Sequence, residues 1–416
     1  MHHIPTLIIG AGVAGAGVAC ALAERGAGAG VRLVDVDVFG KHSSSELSAG
    51  GARCLFSEPL LAKLALASLK YYERHAEHID FRQRGTLWFH DATMWEAARV
   101  FVPQLRAMGL PVEELAADEL NARFNLLGDA SDVAGATFTA RDGSLCPHRL
   151  RLHYLNHAQA GDVELLDRFQ VITIDGDAPP YQVRLRQVTP GKIKRALSTP
   201  IAPEPSSKAT ELTISVDRIV NAAGPWAGRV ARLYGRALPV KPAPRQAYVL
   251  RPTEGMASKF EAAPFFVDAP GGIFWRHYDR DRKPCVLVCT REAGGLVDTV
   301  DFTPPGEARY RQNVEPRVAR RVPTLASAAL VMSWTGHDDL TPDHHPVIGP
   351  VPGRPGIHNL NGLSAAGISL SRGLAEALAY RLIDNRWPSD LDLDVLSESR
   401  FDQPSAAAVT TERLVL

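Results

Sequence analysis

The sequence predicts an α/β fold: a discontinuous Rossmann-like dinucleotide-binding domain carrying an inserted substrate domain of antiparallel β-sheet plus helices. Three observations predict it. A βαβ pattern around a glycine-rich turn opens the chain, β-rich segments fill its middle, and a second glycine-rich turn leads into a long amphipathic helix near its end. At 416 residues the chain exceeds what one hydrophobic core holds, so two domains are expected.

Leu7-Ile8-Ile9 is a short β-favouring run. Val13–Arg25 follows with small and apolar residues at helical spacing, and Val31–Val34 forms a second strand ending on Asp35. Ser57–His75 reads as a helix with Leu60, Leu61, Leu64 and Leu69 as its apolar stripe; Gly85–His90 reads as a strand and Trp95–Met108 as a helix. Val163–Leu166, Phe169–Thr173 and Gln182–Arg186 are expected strands. Thr189–Glu211, rich in Pro, Ser, Thr and Lys, reads as a solvated loop before a strand at Arg218–Ala223. Ala247–Leu250, Gly272–Trp275 and Val286–Cys289 are strand-like pieces separated by turns, as in an antiparallel sheet. Gly367–Asn385 aligns Leu370, Leu374, Leu378 and Leu382 on one side of a helix. The expected nucleotide domain comprises residues 1-85, 145-235 and 330-390, the substrate domain residues 86-144 and 236-329, and residues 391-416 a C-terminal tail.

Composition excludes several classes. Basic and acidic residues balance at 46 each, which gives no reason to expect nucleic acid or an anionic membrane as partner. Apolar stretches such as Thr6–Ala23 are interrupted by glycines and do not read as membrane spans. The opening Met-His-His-Ile-Pro-Thr lacks the basic segment and apolar run of a secretory signal, so a cytoplasmic protein is expected. Cys20, Cys54, Cys146, Cys285 and Cys289 form no CxxC pair and read as small buried hydrophobes.

The fingerprint Gly10-Ala11-Gly12-Val13-Ala14-Gly15 follows a strand and opens a helix. Gly10 makes the tight turn, Gly12 lets the backbone approach a pyrophosphate, and Gly15 allows close strand–helix packing. The helix N-terminus offers free N–H groups and a positive dipole end to the phosphates. Asp35, ending the second strand, stands where an acid accepts hydrogen bonds from a ribose hydroxyl. This signature alone fits FAD or NAD(P).

Later segments resemble a known family. Asn221-Ala222-Ala223-Gly224-Pro225-Trp226-Ala227 resembles the second FAD-contacting motif of the D-amino acid oxidase family, which includes glycine oxidase and the sarcosine and dimethylglycine oxidoreductases. Thr341-Pro342-Asp343-His344-His345-Pro346-Val347-Ile348-Gly349 resembles its TPDxxPxIG segment, and Gly362-Leu363-Ser364-Ala365-Ala366-Gly367 its glycine-flanked turn before a flavin-directed helix. Lys41–Arg53, with Ser44, Ser45, Ser48, Ala49, Gly50 and Gly51, is similar to the family's Ser/Gly loop under the pyrophosphate and ring. The resemblance implies FAD as cofactor. It adds Lys41, those loop residues, Val36, Val171, Ala222, Ala223, Gly224, Trp226, Gly336 and Gly362 through Ile368 to Gly10, Gly12, Val13, Ala14, Gly15 and Asp35 as cofactor-binding residues.

Departures from the family narrow the expectation. Gly336 stands where one branch carries a covalent-flavin cysteine, and about Leu47 where another carries a covalent histidine, so non-covalent FAD is expected. Asp338 replaces the family's carboxylate-binding arginine, and an aspartate repels a carboxylate. Val286-Leu287-Val288 lacks the family's oxygen-activating lysine, which leaves the electron acceptor as oxygen or another redox carrier. The remaining candidates for substrate chemistry are Arg53, Arg245, Tyr248, Trp275, Arg276 and His337. His337-Asp338-Asp339 with Asp343-His344-His345 fits no standard metal spacing, so no metal is expected.

The expected activity is oxidation of the C–N bond of a small-molecule amine or amino acid, of secondary, N-methyl or D type, by hydride transfer to flavin N5 to give an imine. A hydroxy-acid oxidoreductase and a non-catalytic flavin-bearing partner subunit are the alternatives, and a plain NAD(P) dehydrogenase is the cofactor alternative.

Overall fold

The computed structural model describes residues 2–124, 127–201, 210–253, 255–280, 283–291, 295–402, 412 and 414. Its first sheet has eight strands, with Val347–Pro350, Ile357–Asn361, Glu211–Asn221, His2–Ile9, Val31–Asp35 and Glu164–Asp167 in that spatial order. Ile357–Asn361, Glu211–Asn221, His2–Ile9, Val31–Asp35 and Glu164–Asp167 run parallel, as a doubly wound sheet requires, while Tyr181–Gln187 pairs antiparallel on the early half of Glu211–Asn221 and carries Phe169–Asp175 with it. The register sets Ile9 beside both Val34 and Asn221, so the ends of three strands meet at the fingerprint turn.

Helix Val13–Glu24 is built almost wholly of Ala, Gly and Val, and its first ten residues are buried. Small side chains let it lie between helix Pro147–Ala160 and helix Gly367–Asp384. A Cβ on Gly17 would stand 3.1 Å from the Ala375 Cβ. The leucine stripe expected on the last helix, Leu370, Leu374, Leu378 and Leu382, is buried there.

The second sheet also has eight strands, ordered Ala329–Leu340, Lys241–Arg251, Lys283–Arg291, Ile273–Arg280, Phe265–Asp268, Thr86–His90, Gly135–Thr139 and Val112–Ala116. Every neighbour pair is antiparallel except Phe265–Asp268 with Thr86–His90. Trp275 and Phe266 stack at 4.8 Å on one face of this sheet, in a core with Phe89, Tyr248 and Tyr310. The α/β architecture with a Rossmann-like nucleotide sheet and a separate, mainly antiparallel sheet is thus the one the residue pattern predicts.

Two segments differ from the sequence reading. Residues 193–198 of the expected solvated loop form a short helix, Ile193–Ser198, whose Ile193 and Leu197 are buried with Val36, Val188 and Val300. Residues 202–209 lie outside the described residues. Helix Pro147–Ala160, which no periodicity announced, buries Leu150, Tyr154 and Leu155 against the fingerprint helix. After the last long helix, Leu393 and Leu396 are buried, and Arg400 pairs with Asp343 at 2.7 Å. No described helix is long and apolar enough to cross a membrane.

Candidate active site

Two adjoining cavities occupy the region where the sheets meet. The larger, about 1280 Å³, opens at the carboxyl ends of the parallel strands, where open α/β sheets bind ligands. Gly10, with φ +108°, turns the chain where an added Cβ would lie 2.4 Å from the Ala222 carbonyl oxygen. On Gly15 a Cβ would lie 1.9 Å from the Gly10 oxygen. Both positions therefore exclude any side chain. Gly12, Val13 and Ala14 line the cavity at the helix N-terminus, and Ser45 Oγ accepts the Val13 amide at 3.0 Å.

Asp35 lies in the same wall. Its two oxygens accept the Ala11 and Asp37 amides at 2.6 and 2.9 Å; burial pushes its carboxyl pKa up, and these amide bonds pull it back. Val36, Val171, Ala222, Ala223, Gly224 and Trp226 continue the wall. Asn361 fixes the second motif by accepting the Gly224 amide at 3.2 Å and donating to the Asn221 carbonyl at 2.7 Å. A glycine cradle, a helix N-terminus and a strand-end carboxylate in one elongated cavity fit an adenine dinucleotide.

The smaller cavity, about 780 Å³, shares Ser44, Ser48, Asp338, Ala365 and Ile368 with the first. A planar ring bound across these shared residues would face both. It is lined by Leu47, Ala49, Gly50 and Gly51 of the early loop and by Phe265, Val267, Phe274 and Cys289 of the second sheet, and Gly336 lies among them with a hypothetical Cβ 3.1 Å from the Leu47 Cβ. Arg53, Thr86, Gln246 and the Arg245–Asp338 ion pair, 2.5 Å long across adjacent strands, supply its polar groups.

Arg53 is buried. It donates Nη2 to the Leu414 carbonyl at 2.7 Å and Nη1 to the Leu55 carbonyl, and stands over the Phe56 and Trp88 rings at 4.1 and 5.0 Å. Burial lowers its pKa to about 10 while Glu412 and Asp142 support the charge, so it is a cation at neutral pH.

The other candidates take different positions. Tyr248 donates to Gln246 Oε1 at 2.6 Å and packs on Tyr310, while Trp275 is stacked on Phe266; neither lines the cavities. Arg276 donates Nε to the Ala49 carbonyl and Nη1 to the His277 carbonyl, and so braces a loop residue that lines the smaller cavity. His337 lines the smaller cavity, but its ring lies edge-on to Phe302 and accepts the Asp301 amide at 3.2 Å; burial lowers its pKa to about 4 and keeps it neutral. Leu363, Ala365, Gly367 and Ile368 line the larger cavity, whereas Lys41, which is exposed, and Gly362, Ser364 and Ala366 are not among its lining residues. Ala196, Leu197, Ile201 and Arg229 also line it and were not expected. Arg229 and Trp226 both donate to the Leu197 carbonyl at 2.7 Å, which pins the short helix over the cavity. The Ile193/Leu197 spacing was the available signal.

Behind Arg53, Asp142 is fully buried and accepts the Cys54 amide at 2.8 Å. Burial raises its carboxyl to about 7, against the pull of its Cys54 bonds. In the unfolded chain an Asp titrates near 3.9. Between those values the folded protein binds more protons, so Asp142 contributes stability below about pH 4 that is lost as pH rises through 7. Asp142→Asn keeps the acceptor oxygen and is expected to raise Tm at pH 8 more than at pH 5.5, by the linkage of about 1.5 pH units, the span from 5.5 to 7; thermal melts at both pH values check it, and equal shifts would count against it.

The family described as FAD dependent oxidoreductase (DAO) matches residues 6–381. FAD-dependent oxidoreductase domain-containing protein 1 of Xenopus laevis is 26% identical over 439 residues, covering 95% of this chain and 82% of that protein. Among solved structures, L-proline dehydrogenase from P. horikoshii superposes with a TM-score of 0.78 at 18% identity, over 96% of this chain and 98% of that one. Glycine oxidase from Geobacillus kaustophilus does so with a TM-score of 0.73 at 22% identity, over 95% and 98%. At those identities the two structures establish a shared fold. The family match covers both the glycine cradle and the chamber beside it, and the chain belongs to the FAD-dependent oxidoreductase (DAO) family, an enzyme with FAD as its cofactor.

Proposed function

We propose that the protein oxidises the C–N bond of a small amine or amino acid, with FAD held non-covalently. The observation that supports it is the small, mainly apolar chamber beside the cofactor cavity, with the buried Arg53 among its lining residues. The solved structures of similar fold include enzymes named for proline and for glycine, both amino acids. FAD held along Gly10, Gly12, Val13, Ser45 and Asp35 would supply the two-electron oxidation of the C–N bond, the resulting imine being hydrolysed by water.

The chain's residues position and desolvate. Arg53 offers a charge-assisted grip to a carboxylate in place of the arginine that Asp338 displaces. Phe265, Val267 and Phe274 exclude water and favour the neutral, reactive amine over the ammonium. No side chain in the chamber needs to act as a strong base. The rate of anaerobic flavin bleaching by amine should therefore rise with pH through a single ionisation. A flat profile with every amine that reduces the flavin would sink the mechanism. Flavin released into the supernatant on acid precipitation is the expected sign of non-covalent binding; flavin remaining with the pellet would refute it.

A further inference from the structure

Asp339 is a buried carboxylate that neither the fingerprint nor the substrate chamber uses. It stands next to last in strand Ala329–Leu340 and lines the cofactor cavity with Leu363, Ala365, Gly367 and Ile368. Its Oδ2 accepts the Leu363 amide at 3.1 Å, and its carbonyl accepts the Ser364 amide at 3.1 Å. The turn held this way is an unusual one: Ser364 and Ala365 have φ +48° and +66°, a left-handed conformation that side chains disfavour. Ala365 and Ile368, on either side of its end, line both cavities, so this turn borders the place where a bound ring faces substrate.

The charge environment is one-sided. Asp338, the preceding residue, is paired with Arg245. Nearby in the packed strands and turns, Lys241 pairs with Asp298 and Arg400 with Asp343, while the His337 imidazole is neutral. No described cation hydrogen-bonds Asp339; its partners are main-chain amides. Burial above all pushes its carboxyl up to about 7, the Leu363 amide pulls the other way, and the Asp338 charge adds to the rise.

We propose that Asp339 is a redox-linked proton acceptor of this flavin site: as the bound flavin takes up two electrons and one proton, Asp339 takes a second proton from solvent and becomes neutral. The electrons come from the amine in turnover or from dithionite in a titration, and the two protons balance the two electrons. Negative charge arriving in the cavity wall raises the cost of a second negative charge there, and neutralising the carboxylate removes that repulsion. The amide bonds from Leu363 and Ser364 keep the turn in place through the change. The proposal rests on FAD occupying the cavity but not on any substrate.

The test is the midpoint potential of the holoenzyme reduced with dithionite, followed across roughly pH 6 to 9. Above neutrality two protons per two electrons change the reduction equilibrium about a hundredfold per pH unit, or about 59 mV, against about tenfold and 30 mV when flavin alone is protonated. The wild-type enzyme is expected to show the steeper slope and Asp339→Asn the shallower one. A wild-type slope of about 30 mV throughout would overturn the proposal, whether or not the variant folds. So would a variant that binds flavin more weakly yet keeps the steep slope, since that is the signature of a purely structural turn clamp. Neither result depends on finding an amine that bleaches the flavin, which separates this proposal from the amine reading.

Discussion

Gly15→Val is expected to yield a protein without bound flavin. A Cβ there would sit 1.9 Å from the Gly10 oxygen and 3.2 Å from the Ala222 Cβ, so the fingerprint helix must move off the strand end that borders the larger cavity. Backbone oxygen cannot rotate away as a side chain can, and a destabilisation of about 4 kcal/mol or more is expected. Gly12→Ala provides the graded control. Its Cβ would meet only Ser45 Oγ, at 3.2 Å, a hydroxyl that can turn aside. That variant should fold and bind flavin with reduced affinity, measured by fluorescence titration of the apoprotein. If Gly15→Val bound flavin as tightly as the wild type, the cradle would be misassigned.

Arg53→Met is expected to divide substrates by whether they carry a carboxylate. Arg53 is buried and lines the chamber, and a charged hydrogen bond to substrate is worth about 1.5–3 kcal/mol, so kcat/KM for an amino acid should fall about 10- to 100-fold. The matching amine without the carboxylate should be oxidised at nearly the wild-type rate. Arg53 also donates to the Leu55 and Leu414 carbonyls, so the variant will be less stable, by roughly 1–3 kcal/mol. Arg53→Lys retains the charge and serves as the stability-matched comparison. An equal loss for both substrate types would mean that Arg53 only holds the wall together.

The candidate cofactor cavity was legible because its determinants are local. Gly10, Gly12 and Asp35 come together in one wall, and Gly15 packs the helix on the strand, through backbone geometry that follows from a strand, a turn and a helix in order. The substrate half was less so, because a strand's identity does not reveal which face meets the cavity. Phe274 and Trp275 are neighbours in one strand; Phe274 lines the chamber, and Trp275 points into the core on Phe266. Tyr248 and Arg245 divide the same way. The short helix Ile193–Ser198 was hidden by the Pro, Ser and Thr around it, and only tertiary burial with Val36 and Val300 makes it helical. Asp339 bonds to Leu363, which is 24 positions away, so its environment exists only after the two sheets are joined.

The claim that the chamber serves amine oxidation is tested most directly by a matched pair of reductants. Purified, oxygen-free enzyme would be mixed with an amino acid and, separately, with the hydroxy acid of the same carbon skeleton, following the flavin's visible absorption. The amino acid should bleach the flavin and release one carbonyl product and one ammonia (or one amine from an N-substituted substrate) per flavin, and the hydroxy acid should leave it oxidised. Bleaching by hydroxy acids alone, or by no member of a broad amine panel while dithionite still reduces the flavin, would contradict it.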